Sequence, residues 1–246
     1  QAASSDQDQA TLKKKLLRHV EALNSIYRNS AVDMQARLIV TDFISISDHE
    51  AEGLLQLMTE EQGPFRGLFA RTSDVGADYT ILFVRGLTIR GIPKCGRAVS
   101  INLTTEALVS SRSAVAVLDI ACGSKSLAHE LGHLMGLNHG QMVDRCQPGH
   151  GHSKGAATYA NGFGVGNCDG TPQPGEFGTI MVGGWMDAIN GDQHSVLPMY
   201  SNPCIRDPRC GPTQTCGDPN IGDAARFLNE NAAVYAGHES TKTLHD

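Results

Sequence analysis

Near the start of the chain, Leu12, Leu16, Leu17, Val20, Leu23 and Ile26 recur at helical spacing, which predicts a helix over 9–28. Residues 36–46 (ARLIVTDFISI) read as a strand, rich in β-branched and apolar side chains. After Ser47-Asp48, the positions Leu54, Leu55, Leu57 and Met58 predict a second helix, stopped by Gly63-Pro64. The apolar runs 78–84 (DYTILFV) and 114–120 (AVAVLDI) predict short buried strands, and 98–103 alternates in the manner of an edge strand. A last periodic stretch, 221–235 (IGDAARFLNENAAVY), predicts a closing helix that buries Ala225, Phe227, Leu228 and Val234. Helices interleaved with strands predict an α/β (α+β) fold, with most helices packed on one sheet.

The pattern changes after Gly136. Residues 140–200 hold 13 of the chain's 27 glycines and few periodic apolar runs. Such a stretch is expected to be mostly loop, held by disulfides and a bound metal rather than by a continuous core. The expected organisation is one catalytic domain over 1–246, with an N-terminal subdomain over 1–139 and a smaller, irregular C-terminal subdomain over 140–246. At 246 residues the chain is long enough to bury a sizeable core.

Charge and composition narrow the partners. The net charge is −6, and no basic block exceeds Lys13-Lys14-Lys15, which argues against nucleic acid. No apolar run approaches the ~18 residues of a membrane span. All seven cysteines lie at or after Cys95 (Cys95, Cys122, Cys146, Cys168, Cys204, Cys210 and Cys216), and none forms a CxxC. Wide scatter without CxxC favours disulfides in an oxidising compartment, hence a secreted protein, and the odd number leaves one cysteine over. The chain begins at Gln1 without an apolar leader, as expected of a mature or trimmed form.

The chemistry concentrates in residues 129–139, HELGHLMGLNH. On a helix, His129 and His133 are four apart and project from one face, one turn apart. Two imidazoles so placed can grip one zinc ion. Glu130, one step round the helix, can reach a water on that metal without being a ligand. Gly136 can take positive φ and end the helix in a sharp turn, which lets His139 return as third ligand. Three nitrogens leave a fourth position open, the arrangement of a catalytic zinc.

This motif resembles the HExxHxxGxxH zinc signature of the metzincin metallopeptidases. The resemblance implies a metzincin-like fold, a zinc-activated water with Glu130 as general base, and a methionine turn beneath the metal. Gly178-Thr179-Ile180-Met181 offers that turn, with Met181 as support rather than ligand. The run Tyr200-Ser201-Asn202-Pro203, followed by Gly222-Asp223-Ala224-Ala225-Arg226, is similar to the end of bacterial reprolysin-like peptidases. Cys95-Gly96 with Cys122 ahead of the zinc helix is similar too, and the peptidyl-Asp metalloendopeptidases are the group the chain most resembles. The expected pairs are then Cys95 with Cys122 and Cys146 with Cys168, with the odd cysteine among Cys204, Cys210 and Cys216. Two positions depart from better-known branches. Gly140 follows the third histidine where those carry Glu, Pro, Ser or Asp, and Gly183 stands where some carry a Tyr.

The expected function is a secreted zinc endopeptidase acting on protein or peptide substrates, with calcium left open. The substrate strand is expected along 98–103, and the specificity pocket along Val182 to Pro203, where His194 and Tyr200 are candidates. Arg206 and Arg209 are candidates to receive an acidic substrate side chain. His150 and His152 read as a solvated loop, and Asn102-Leu103-Thr104 is a glycosylation sequon. Three other functions fit the same motif: the peptidase subunit of a multi-chain toxin, a non-catalytic metzincin-like binding module, and a zinc amidase.

Overall fold

The first apolar periodicity becomes helix α1 (Asp6–Asn29), which buries Leu23, Ile26 and Tyr27 but leaves Leu17 exposed. The computed structural model describes residues 6–99, 114–141, 156–166, 173, 175–183, 196–211 and 213–235. The chain divides into two compact units, one of Gln1–Leu23, Ala36–Leu134 and Ala233–Asp246, the other of Asn24–Gln35 and Met135–Ala232.

The first unit is built on three strands, β1 (Thr80–Val84), β4 (Gly96–Ala98) and β5 (Val115–Asp119), in the order β1-β5-β4. β1 runs parallel to β5, from Thr80↔Val115 to Val84↔Asp119. β4 runs antiparallel to β5, with Gly96 opposite Leu118 and Ala98 opposite Ala116. β4 is therefore an edge strand among the described residues; it shares only Ala98 with the edge strand expected over 98–103, of which 100–103 lie outside the described residues. Helix α2 (Ala51–Thr59) takes the second periodicity and places Ala51, Leu54, Leu55 and Met58 in a core with Phe65, Leu68, Val84, Leu87, Val115 and Val117. Because strand side chains alternate, Ala116 and Leu118 face the other side of the sheet, where helix α4 (Ser124–Leu134) packs against β4 and β5.

Two elements of this unit have no counterpart in the sequence reading. Helix α3 (Leu68–Val75) lies between two glycines in the left-handed conformation, Gly67 and Gly76. A hairpin pairs β2 (Thr88–Ile89) with β3 (Ile92–Pro93). Its turn residues, Arg90 and Gly91, both have positive φ, and Glu50 accepts the Arg90 N–H at 2.8 Å and the Thr88 hydroxyl at 2.9 Å. Conversely, the strand expected over 36–46 does not form. Ile44 and Ile46 pack on the core, but Ile39, Val40 and Phe43 are exposed and no described strand pairs with this segment. Apolar alternation marks which side chains turn inward; a strand also requires a partner backbone.

The described residues of the second unit hold little regular structure. They include a two-residue pairing of β6 (Gly164–Val165) with β7 (Phe177–Gly178), and helix α5 (Ala224–Tyr235). A small core gathers Phe177, Leu197, Met199, Cys210 and Cys216. Polar side chains add further ties among the described residues. The Ser201 hydroxyl donates to the Asn161 carbonyl at 2.7 Å and accepts the first N–H of α5, from Ala224, at 3.0 Å. The Asn202 amide donates to the Ser30 carbonyl at 2.8 Å, and the Tyr200 N–H donates to the Ser30 hydroxyl at 2.7 Å. Asp223 caps α5 by accepting the Arg226 N–H at 3.2 Å.

Two disulfides lie among the described residues, Cys95–Cys122 and Cys210–Cys216, and Cys204 is free and exposed. The free thiol is thus one of the three cysteines, Cys204, Cys210 and Cys216, among which the odd one was expected. Cys146 and Cys168 lie outside the described residues. No helix among the described residues is long and apolar enough to cross a membrane.

Candidate metal centre

The zinc-signature histidines are carried by α4 and the turn that follows it. Strand β5 ends at Asp119, whose carboxylate accepts the N–H groups of Gly86 at 2.8 Å, Leu87 at 3.0 Å and Ala121 at 2.8 Å. These bonds turn the chain out of the sheet. The Cys95–Cys122 disulfide then joins the residue before β4 to the segment entering α4. At the first residue of α4, the Ser124 hydroxyl is 3.0 Å from Nδ1 of the buried His19.

Within α4 the spacing acts as expected. His129 and His133 are half-buried, their Nε2 atoms 3.1 Å apart and their rings edge to face with centroids at 4.7 Å. Glu130, between them in sequence, is only 7% exposed. Its side chain lies on the bare backbone of Gly96 in β4. A Cβ built at Gly96 would stand 2.7 Å from the Glu130 Cγ, 2.7 Å from Oε1 and 2.9 Å from Cδ.

The helix stops at Leu134, and Gly136 turns the chain with φ of +94°. The following residues are held as a short extended stretch. Asn138 donates to the Ala160 carbonyl and accepts from the Gly162 N–H, both at 3.0 Å, and the Gly140 N–H donates to the Met181 carbonyl at 3.0 Å. These bonds fix the backbone on both sides of His139. The Asn138 side chain also accepts the His139 N–H at 2.7 Å. Met181 is fully buried, in a turn where the Val182 N–H donates to the Thr179 carbonyl at 2.9 Å.

The packing here explains Gly140. A Cβ at Gly140 would come within 2.4 Å of the Gly162 carbonyl oxygen, and one at Gly162 within 2.1 Å of the Met181 backbone. Three backbone segments approach so closely that neither position has room for a side chain.

One nitrogen each from His129, His133 and His139 can be chosen so that all three lie within 4.8 Å of one another. Nitrogens bound to one tetrahedral zinc at about 2.0–2.1 Å are about 3.3–3.4 Å apart. The 3.1 Å separation on α4 is close to that spacing, and neutral imidazoles are zinc-type donors. The donor set therefore fits a zinc ion, and the three histidines can hold a metal.

Other candidates are placed differently. Tyr200 is fully buried, its ring stacked 6.0 Å from that of Tyr27. Arg209 is paired with Asp207 through two nitrogens at 2.8 and 2.7 Å, while Arg206 is exposed. His150, His152, His194 and the Asn102 sequon lie outside the described residues. The contacts of Gly96 and Gly162 were not read from the sequence.

A family model described as metallo-peptidase family M12 matches residues 2–181. The chain is 25% identical to a protein of Pseudomonas aeruginosa named peptidyl-Asp metalloendopeptidase, over 91% of this chain and 36% of that one. It thus spans about a third of that relative's length. Among solved structures, a chain in one titled "Structure of a chaperone-substrate complex" matches with a TM-score of 0.63 at 19% identity, covering 95% of this chain and 33% of that one. That likeness concerns the fold alone. With the family model matching most of its length and a mixed fold of small sheet and packed helices, the chain belongs to metallopeptidase family M12, as a reprolysin-like metallopeptidase.

Proposed function

We propose that the chain is a secreted zinc endopeptidase in which His129, His133 and His139 hold the metal and Glu130 is the general base. The observation that carries this reading is the three-histidine cluster with the buried Glu130 set between two of its members on one helix. Zinc, when bound, acidifies a water toward neutral pH and polarises the scissile carbonyl. Glu130 accepts a proton from the attacking water and returns it to the amine that leaves. Its burial against Gly96 restricts where the carboxylate can go, which suits a group that must meet one proton donor and one acceptor in turn. Met181 supports the His139 segment from its turn through the Gly140 hydrogen bond.

Substrate is read as an extended strand laid antiparallel to the sheet edge near 98–103, of which Ala98 ends β4, a strand whose outer edge carries no partner among the described residues. The relative's name supports a preference for an acidic side chain beside the cleaved bond. Arg209 is already held by Asp207, which leaves the exposed Arg206 as the better candidate for such a group. The two disulfides support an oxidising, extracellular location.

The test compares the full chain with Glu130→Gln and Glu130→Ala on casein, with zinc measured in the same samples. Both variants are expected to keep one zinc and lose at least about 100-fold in kcat. A zinc-loaded Glu130→Ala chain that cleaves at the parent rate would remove Glu130 from the chemistry.

A further inference from the structure

Among the described glycines, Gly96 is the one whose bare Cα abuts the carboxylate proposed to do chemistry; Gly140 and Gly162 instead face backbone. We infer that Gly96 is a positioning residue for Glu130: the edge strand presents a wall without a side chain, and the Glu130 carboxylate is set against it. This rests on the reading of Glu130 as the general base.

The wall is fixed from both sides. Gly96 is paired with Leu118 in the β4–β5 ladder. Its neighbour Cys95 accepts the Asp119 N–H at 2.9 Å and is bonded to Cys122 at the approach to α4. The strand and the helix that carries Glu130 are therefore tied together beside the contact. All three Glu130 atoms that a Cβ would meet belong to the side chain, at 2.7, 2.7 and 2.9 Å. A methyl at Gly96 is thus relieved by displacing the carboxylate, not by opening the sheet. Misplacement of a reacting group by ~1 Å costs on the order of 100-fold in rate.

The test uses the full, zinc-loaded chain. Gly96→Ala is expected to keep one zinc and a KM within about threefold of the parent, while kcat falls roughly 30- to 100-fold. Thermal melting supplies a readout independent of turnover. Gly96→Ala should lower Tm by about 3 °C or more in the parent, and by nothing measurable in a Glu130→Ala background, where the space is open. Parent-like kcat in Gly96→Ala overturns the inference. So does loss of zinc, which would place the disturbance at the histidines, and so does a Tm loss that persists in the Glu130→Ala background. If Gly96→Ala does not fold alone, the double variant decides: folding supports the contact, and failure to fold overturns it. Parent-like activity of Glu130→Gln would instead defeat the general-base reading, and the melting cycle would still report the contact.

Discussion

The amide of Gly140 donates to the carbonyl oxygen of Met181 at 3.0 Å, so the residue after His139 is hydrogen-bonded to the turn that holds the buried methionine. Gly162 lies against the same turn, where a Cβ would stand 2.1 Å from the Met181 backbone. Backbone cannot yield as a flexible side chain can. Gly162→Ala is therefore expected to lower Tm by roughly 3–10 °C, from the 1–3 kcal/mol typical of overpacking. Zinc affinity should fall at least about tenfold as the His139 segment shifts. Melting curves and competition with a chelator measure both, and a variant with parent Tm and zinc affinity would show that the turn does not brace the site.

His139 is carried by the irregular chain beyond Gly136, unlike its two helical partners. His139→Ala leaves two imidazoles four residues apart, and zinc affinity is expected to fall about 100-fold or more. Elemental analysis after dialysis against a weak chelator is the check. Full zinc retention would place the third ligand elsewhere.

The Cys95–Cys122 bridge closes a loop of sequence separation 27. Constraint of the unfolded chain by a loop of that size is worth about 3–4 kcal/mol. Replacing both cysteines by serine should lower Tm by roughly 6–16 °C. It should also reduce kcat more than KM, because the strand under Glu130 loses one of its ties. Unchanged turnover in a destabilised but folded variant would separate the bridge from the site.

Burial, with Lys15 adding to it, holds the His19 imidazole below its ordinary value of 6.5. Its Nε2 is buried without a hydrogen-bond partner among the described residues, so a proton there is poorly accommodated. The unfolded chain then binds that proton more readily than the folded one. Stability contributed by neutral His19 is fully present above about pH 6.5 and is lost as pH falls below it, down to the folded value. Denaturant midpoints at pH 7.5 and 5.5 should differ more for the parent than for His19→Gln. Equal pH dependence in the two chains would acquit His19.

Cys204 is exposed and unbonded. A maleimide should label it without denaturant, and Cys204→Ser should remove one equivalent of label without changing Tm by more than about 1 °C. Undiminished labelling would mean that Cys204 is bonded in solution.

The sequence by itself determined what is local. The interval of four residues put His129 and His133 on one face of α4, Gly136 allowed the turn, and apolar periodicity located α1, α2, β1, β5 and α5. Each depends on neighbours within a few positions, so spacing alone carries the information. The tertiary structure decided what depends on distant backbone. It left 36–46 without a partner strand among the described residues, though the segment is as rich in β-branched and apolar side chains as a true strand. It also used Ser201 and Asn202 as bridges to Asn161 and Ser30. Most consequentially, it brought Gly96 under Glu130 and Gly162 against Met181. A glycine required by close approach looks in sequence like a glycine in any loop, because the atoms that forbid its side chain belong to residues far along the chain.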